Sequence, residues 1–184
     1  MNKQEIRKFH LDLRMKMEKL EVNELSDKIN IQILKILNKF SPKLSIGIFY
    51  PFKNEVNILA LTKKIKMKFL LPKVTSKEKP LKYFSYSYET PLLEKGFGGI
   101  MEPIGDKSFE PDILIASCSA FNIEGYRVGY GGGFFDRTIS ELNKKKNLKT
   151  ILAAFEIQKT TIQFQEKFDE KVDYICTENK TYTT

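Results

Sequence analysis

Apolar side chains recur at helical spacing in the first part of the chain. One stripe predicts a helix over residues 2–19 and consists of Ile6, Phe9, Leu13 and Met17. A second stripe predicts a helix over residues 23–39 and consists of Leu25, Ile29, Ile33 and Ile36. Ser41 and Pro42 follow this second stripe and end the helix, because proline cannot continue it.

Short apolar runs follow these stripes and predict buried strands. The runs are Leu44–Tyr50, Phe69–Pro72, Asp112–Ala116, Thr150–Phe155 and Asp173–Cys176. The run at 112–116 is apolar on both faces, as strands of a covered parallel sheet are. Between the runs we predict a helix over 58–66, an aromatic edge strand over 81–88, and a loop plus a helix over 160–171. Because helices alternate with strands, the pattern predicts a single three-layer α/β/α domain over residues 1–184, with a mostly parallel central sheet.

A glycine-rich stretch, Gly125–Arg137, interrupts this pattern and holds five of the ten glycines of the chain. Glycine lets backbone N–H groups approach a ligand closely, and phosphate suits such a surface. Phe135, Ile139 and Leu142 then predict a helix whose N-terminus favours phosphate. A flexible surface turn before an amphipathic helix explains the same pattern equally well. Neither the P-loop nor the dinucleotide fingerprint occurs in the chain.

Composition narrows the function classes. Lys and Arg number 31 against 23 Asp and Glu, a net charge of +8 that suits polyanionic ligands or nucleic acid. The aromatic strand motif of RNA-binding modules is absent, so we expect no nucleic-acid partner. No apolar run approaches the roughly 20 residues of a membrane span, so we expect no membrane partner. The two cysteines have no metal-ligand spacing and give no disulfide framework, and the lack of such a framework favours a reducing, cytoplasmic location.

A few polar residues stand out as candidates for chemistry. Lys3 and Arg7 are four residues apart and share a helix face, although two solvated cations fit that spacing too. Glu55 follows the 44–50 strand, at the sheet edge where ligands gather, yet by itself it is better explained as a solvated loop acid. Cys118 has no histidine near it in sequence and is interpreted as a packing residue, and His10, the single histidine, as a helix-surface residue.

The glycine-rich stretch resembles the signature of the 5-formyltetrahydrofolate cyclo-ligases. That signature reads roughly Phe-Asp-x-x-Gly-x-Arg-Leu-Gly-Tyr-Gly-Gly-Gly-Tyr-Tyr-Asp-Arg. In this chain Asn122 replaces the first Asp, and Phe134 and Phe135 replace the two tyrosines. The order of the surrounding elements is similar to that family over nearly the whole chain. Phenylalanine keeps the ring of tyrosine but not its hydrogen bond, so the two departures bear on substrate binding.

The resemblance implies a set of site residues. It implies catalytic roles for Lys3, Arg7 and Arg127. It implies an ATP site formed by Lys3, Gln4, Glu5, Ile6, Arg7, Arg127, Val128, Gly129, Tyr130, Gly131, Gly132, Gly133, Phe134 and Phe135. It implies a folate site formed by Tyr50, Glu55, Tyr130, Gly131, Gly132, Gly133 and Phe134. It implies two magnesium ligands, Asp136 and Asp173. The segment 96–103 resembles one that lines the folate pocket of the family, and a plain turn is the competing interpretation.

The activity that the resemblance implies is the ATP-dependent conversion of 5-formyltetrahydrofolate to 5,10-methenyltetrahydrofolate, with ADP and phosphate released and Mg²⁺ as cofactor. We expect a monomer that acts on these small molecules. If Asp136 is a metal ligand, its loss should spare stability, whereas loss of a helix cap should cost about 1 kcal/mol. Two other interpretations stay open: a non-catalytic module of similar fold that binds a nucleotide or folate, and an RNA-binding protein.

Overall fold

Two helices begin the chain in the computed structural model, which describes residues 1–89 and 91–184. Helix α1 spans Lys3–Met15 and helix α2 spans Lys19–Leu37. Helix α1 begins at a capping box, because the Asn2 side chain accepts the N–H groups of Gln4 and Glu5 while the Glu5 carboxylate accepts the N–H of Asn2. Both predicted helices are confirmed, and α2 begins four residues earlier than the apolar stripe indicates.

Twelve short strands and a third helix follow within the described residues. The strands are β1 (Ser45–Gly47), β2 (Lys68–Lys73), β3 (Lys82–Tyr86), β4 (Leu93–Lys95), β5 (Met101–Pro103), β6 (Ser108–Phe109), β7 (Ile113–Ala116), β8 (Ala120–Phe121), β9 (Arg127–Val128), β10 (Lys149–Ala153), β11 (Tyr174–Cys176) and β12 (Thr181–Thr183). Helix α3 spans Phe134–Asn143, and short 3₁₀ helices lie at Ile58–Lys63, Phe97–Gly99 and Glu156–Gln158.

Eight of the strands form one sheet in the order β12-β11-β10-β7-β1-β2-β3-β6. The five neighbouring strands from β11 to β2 are parallel. On one side of them β12 is antiparallel to β11. On the other side β3 is antiparallel to β2, and β6 is antiparallel to β3. In the middle of the sheet, Ile46 of β1 pairs with Phe69 of β2 and Ile113 of β7. The predicted, mostly parallel sheet is therefore confirmed. Two hairpins, β4–β5 and β8–β9, stand outside it.

The sheet is covered on both faces. Alternate strand residues such as Ile113 and Ile115 pack on the face that carries α2, in one cluster with Ile29 and Ile33. Leu114 points the other way and packs with Ile139 and Leu142 of α3. This alternation follows from the two-residue period of a strand and produces the predicted three layers.

Two predicted helices are absent from the described residues. The segment 58–66 forms only the 3₁₀ helix Ile58–Lys63, because the chain must turn back to begin β2 at Lys68. The segment 160–171 contains no helix; its polar sequence has no continuous apolar face, and Phe164 is its one buried apolar residue, packed against Ile6 and Val128. Among the residues that the structure describes, no helix has the length and apolar character needed to cross a membrane.

Helix α1 lies at the carboxyl edge of the sheet, where the parallel strands end. Its Ile6 is fully buried against Ala120 of β8, Val128 of β9 and Phe164. The helix also contacts the 3₁₀ helix Glu156–Gln158, which follows β10. The beginning of the chain is thereby brought to the same edge as the glycine-rich loop and the segments that follow β1 and β7.

Candidate active site

The glycine-rich loop joins the β8–β9 hairpin to the N-terminus of α3. Gly131 and Gly133 have φ angles of 99° and 62°, in the left-handed region that favours glycine. A Cβ atom on Gly132 would lie 2.6 Å from the ring of Phe134, so a larger residue there would displace that ring. Gly133 caps α3 without any side-chain hydrogen bond, which leaves the first N–H groups of the helix available to a ligand.

Two cavities lie on the two sides of this loop. We name the first the charged cleft; its volume is about 600 Å³, and it is lined by Lys3, Arg7, Arg127, Val128, Gly129, Gly131, Gly133, Asp136, Arg137, Ser140 and residues 166–170. We name the second the apolar pocket; its volume is about 480 Å³, and its walls include Phe49, Tyr50, Phe52, Glu55, Phe97, Glu102, Tyr130, Gly132, Phe134 and Phe135. Arg127, Gly129, Gly133 and Asp136 line both cavities, so the two cavities adjoin at the loop.

A buried ion pair stands where the cavities meet. Arg127 is 4% exposed, and its Nη2 lies 2.8 Å from Oδ1 of Asp136. Its Nη1 donates to the carbonyl of Glu170 at 2.8 Å, while the Glu170 N–H donates to the same Oδ1 at 3.2 Å. Asp136 is thus the counter-ion of a buried arginine. Because a buried charge needs a partner, we expect loss of Asp136 to lower stability, whereas a metal-ligand role by itself predicted that stability would be spared.

Lys3 and Arg7 line the charged cleft, and neither is a free solvated cation. The ammonium of Lys3 lies 2.7 Å from both carboxylate oxygens of Asp169 and 3.1 Å from Glu166. Burial lowers the pKa of Lys3, but hydrogen bonds to these two carboxylates outweigh burial and raise it above its ordinary value. The Nε of Arg7 donates to the carbonyl of Gly129 at 2.6 Å. Helix α1 is therefore joined directly to the glycine-rich loop.

The three residues between Lys3 and Arg7 line neither cavity. The Glu5 side chain closes the capping box of α1, Ile6 is in the core, and Gln4 is exposed. The predicted ATP segment at the start of the chain thus presents only its two cations to the charged cleft. Helical geometry explains this outcome, because positions i and i+4 share a face and the residues between them do not.

Asp173 lies at the opposite edge of the sheet from Asp136. Its Oδ2 accepts the N–H of Thr150 at 2.7 Å and the Thr150 hydroxyl at 2.8 Å, where β10 and β11 begin. Asp112 holds Ser45 in the same way at the beginning of β1. Asp173 lines neither cavity, so of the two predicted metal ligands only Asp136 lies in the charged cleft, and a metal role for Asp173 stays a prediction. Asp173 ties the starts of two adjacent strands.

Aromatic rings form much of the apolar pocket. Phe97 and Phe134 meet edge to face with ring centroids 5.6 Å apart, and the Arg137 guanidinium lies 5.2 Å from the Phe134 ring. Glu102 is buried and accepts the N–H groups of Val74 and Phe97 at 3.1 and 3.2 Å, which fixes the turn of the β4–β5 hairpin against the end of β2. The segment 96–103 is therefore a wall of this pocket rather than a plain surface turn.

Glu55 places a buried carboxylate in the apolar pocket and is not a solvated loop acid. Its side chain is 5% exposed, and its Oε2 accepts the N–H of Phe52 at 3.0 Å. No residue among 1–89 and 91–184 donates a hydrogen bond to its other oxygen, Oε1. Burial raises the pKa of Glu55, and the nearby Arg14 guanidinium partly offsets that rise. An unsatisfied carboxylate oxygen in a pocket is suited to a ligand that carries N–H groups.

Arg14 is the central residue that the sequence patterns missed. It is 1% exposed and donates to the carbonyls of Lys53 and Cys118 at 2.9 and 2.7 Å, and its Nη2 donates to the Tyr130 hydroxyl. It thereby joins the segments that follow β1 and β7 to the glycine-rich loop. Its position seven residues after Arg7, two turns along the same helix face, is the signal that would have found it.

The remaining reactive side chains lie outside both cavities. Cys118 is buried, and burial raises the pKa of its thiol to about 12, so it is a packing residue as predicted. His10 is buried rather than on the helix surface, with Nδ1 3.0 Å from the carbonyl of Ile157. Glu166 and Asp169, the partners of Lys3, do line the charged cleft; they come from the segment predicted as a loop plus a helix and had no sequence signal.

Known proteins are similar to this chain over most of its length. A model of the 5-formyltetrahydrofolate cyclo-ligase family matches residues 1–178 of the chain. The chain is 28% identical over 160 residues to the 5-formyltetrahydrofolate cyclo-ligase of Haemophilus influenzae, covering 82% of this chain and 84% of that protein.

Two solved structures share the fold. The NMR structure of the Aquifex aeolicus 5,10-methenyltetrahydrofolate synthetase superposes with a TM-score of 0.82 at 28% identity, covering 100% of this chain and 93% of that one. The 5,10-methenyltetrahydrofolate synthetase of Mycoplasma pneumoniae superposes with a TM-score of 0.75 at 25% identity, covering 97% of this chain and 99% of that one.

Proposed function

The chain belongs to the 5-formyltetrahydrofolate cyclo-ligase family, and we propose that it converts 5-formyltetrahydrofolate to 5,10-methenyltetrahydrofolate at the expense of ATP, with release of ADP and phosphate. The observation that carries this proposal is the pair of cavities that meet at the glycine-rich loop. The charged cleft offers cations and free N–H groups to a triphosphate, and the apolar pocket offers aromatic rings and a buried carboxylate to a flat heterocycle. Their shared residues stand where the two substrates would react.

The chemistry asks for positioning rather than for a covalent nucleophile. The formyl oxygen of the folate attacks the terminal phosphorus of ATP, and ADP leaves. N10 of the same molecule then attacks the formyl carbon, N10 loses its proton, and inorganic phosphate leaves with the former formyl oxygen. The second step is intramolecular, so orientation in a closed pocket accelerates it. Phosphoryl transfer of this kind needs charge neutralisation, which Arg127, Lys3 and Arg7 would supply.

The folate would lie in the apolar pocket. A pterin ring has two flat faces and carries N–H donors, which suits the rings of Tyr50, Tyr130 and Phe134 and the unsatisfied Oε1 of Glu55. Phe134 and Phe135 contribute rings without hydroxyl groups. In this chain those two positions would add no hydrogen bond, so the polar recognition of the heterocycle would come from Glu55, from backbone groups of the loop and from other polar side chains of the pocket such as Tyr50 and Tyr130.

Asp136 would hold Mg²⁺. Its Oδ1 is occupied by Arg127 and the Glu170 N–H, and within the described part of the chain no group donates to its Oδ2. Carboxylate oxygen is the ligand type that Mg²⁺ prefers, and this ion often uses only one or two carboxylates together with water and substrate phosphates. Bound there, the ion would neutralise charge on the ATP phosphates.

We propose that the protein works in the cytoplasm as a monomer on these two small anionic substrates, without nucleic-acid or membrane partners. The net charge of +8 suits ATP and folate, and Cys118 and Cys176 are free, buried thiols.

Coupling of ATP consumption to folate tests the proposed function. Purified protein with ATP and Mg²⁺ should release ADP only when 5-formyltetrahydrofolate is present, because the formyl oxygen of the folate is the nucleophile that attacks ATP in the proposed reaction. ADP release and methenyl product absorbance should rise in a one-to-one ratio. Equal ADP release without folate would indicate a simple ATPase, and tight binding of both ligands without turnover would indicate a non-catalytic binding module.

Replacing Lys3 and Arg7 together by Ala should raise the KM for ATP more than the KM for folate. Hydrogen bonds to charged groups contribute about 1.5–3 kcal/mol each, so the change expected is about tenfold or more per residue. The matched control is the double variant Lys8→Ala with Lys16→Ala, which removes two exposed positive charges from the same end of the chain but away from both cavities. If the two double variants change the KM for ATP equally, the cleft cations contribute only through net charge.

A further inference from the structure

The segment 166–170 forms one wall of the charged cleft and is held at both ends by the cleft's own charged residues. At its start, the Glu166 N–H donates to Asp169 at 2.7 Å, and Asp169 pairs with Lys3. At its end, Glu170 bonds through both backbone groups to the Arg127–Asp136 ion pair. The position of this wall is therefore set by the groups that face the triphosphate.

Phe168 stands at the tip of this segment. Its side chain is 81% exposed, the largest exposed fraction among the large hydrophobic residues that the structure describes. Its one aromatic or cationic neighbour in the described chain is the ammonium of Lys167, 5.6 Å from the ring centroid. A lone exposed apolar side chain is ordinary on a protein surface. This one differs because it lines a cavity and stands on a backbone fixed by that cavity's charges.

The charged cleft otherwise has no partner for a nucleobase. Its other described lining residues are charged, polar, glycine or the buried Val128, and Phe168 is the one aromatic ring among them. Hydrogen-bond donors for phosphate groups are present in the cleft, on Lys3, Arg7, Arg127 and the loop N–H groups. A purine ring needs a flat apolar face against which to stack.

We propose that Phe168 forms the base-stacking subsite of the nucleotide, with the purine ring lying on its exposed face while the phosphates lie at the glycine-rich loop. This inference rests on the proposed use of ATP and adds the residue that would recognise its base. The subsite takes an adenine or guanine ring alike, because stacking is tolerant of base identity. The same ring would be shielded from water when the nucleotide is bound.

A binding measurement tests this without requiring turnover. Calorimetric affinities for ATP and for inorganic tripolyphosphate are compared in the wild type, in Phe168→Ala and in Phe168→Tyr. Phe168→Ala should weaken ATP about tenfold or more, as loss of a stacked aromatic ring does, and leave tripolyphosphate unchanged. Phe168→Tyr should bind ATP like the wild type. Phe9→Ala, which removes another exposed ring from outside both cavities, is the matched control.

A fluorescent variant gives an independent readout. The chain has no tryptophan, so Phe168→Trp introduces a single reporter at the tip of the segment. ATP should quench its fluorescence, and tripolyphosphate should bind without quenching. Equal weakening of ATP and tripolyphosphate by Phe168→Ala, or an unchanged ATP affinity, would overturn the base subsite while leaving the proposed function standing. A wild type that does not bind ATP at all would overturn both.

Discussion

Asp136→Asn is expected to lower kcat/KM by about a hundredfold or more and to lower the thermal stability as well. Activity falls because the variant deletes the charge that would hold Mg²⁺ beside the phosphates. Stability falls because Arg127, which is 4% exposed, loses its ionised partner at 2.8 Å. Weakening that charged hydrogen bond should cost about 1–3 kcal/mol, toward the lower end because the Asp136 side chain is 26% exposed.

Two controls separate the metal from the ion pair. Glu141→Gln removes an exposed acid from the same helix and should change neither quantity much. Arg127→Met breaks the same ion pair but leaves the Asp136 carboxylate in place. High Mg²⁺ should therefore restore part of the activity of Asp136→Asn and none of that of Arg127→Met. If Asp136→Asn loses stability and keeps full kcat/KM at ordinary Mg²⁺, Asp136 serves only as a counter-ion and the metal is held elsewhere.

The fold was largely predictable because burial imposes a period on the sequence. The apolar stripe from Leu25 to Ile36 is the face of α2 that packs on the sheet. The apolar run from Ile113 to Ile115 is a strand covered on both faces. The small hairpins β4–β5 and β8–β9 were not predicted as strands, because two or three residues are too few to show a period. The segment 160–171 was predicted wrongly as partly helical, since its position is set by charges elsewhere in the chain.

The candidate site was predictable where its residues are neighbours in the sequence, and not where residues distant in the sequence come together only on folding. Residues 131–133 are glycines because of the backbone angles and the close packing at these positions, and a sequence motif preserves that requirement. The counter-ions of Lys3 come from residues 166 and 169, and nothing in either local sequence indicates that pairing. Asp173 shows the converse case: a motif position carries no information about which end of a strand a side chain occupies, and Asp173 holds Thr150 where β10 begins.

Arg14→Met is expected to lower the free energy of unfolding by about 3 kcal/mol or more and to raise the KM for folate, with a smaller effect on the KM for ATP. The side chain is 1% exposed, and its loss leaves the carbonyl of Lys53 and the hydroxyl of Tyr130 without a buried donor. Each of these groups belongs to a wall of the apolar pocket. Arg14 touches neither substrate in this scheme and acts as a positioning residue, so kinetics at one pH cannot distinguish it from a purely structural residue.

The dependence of the folate KM on pH makes that distinction. Burial raises the pKa of Glu55 above its ordinary 4.5, and Arg14 opposes that rise, whereas Tyr130 and Cys118, which also lie near Glu55, carry no charge at neutral pH. If ionised Glu55 binds the folate, the KM rises as the pH falls through the pKa of Glu55. Loss of a nearby cation raises a carboxyl pKa, so in Arg14→Met the increase in KM should begin at a higher pH.

Two control variants separate charge from packing. Arg14→Lys keeps the charge but loses the guanidinium fork, so its pH dependence should resemble that of the wild type although its stability falls. Glu55→Gln should raise the KM at every pH and abolish its dependence on Glu55. A folded Arg14→Met whose KM profile coincides with the wild type would show that Arg14 acts through packing alone.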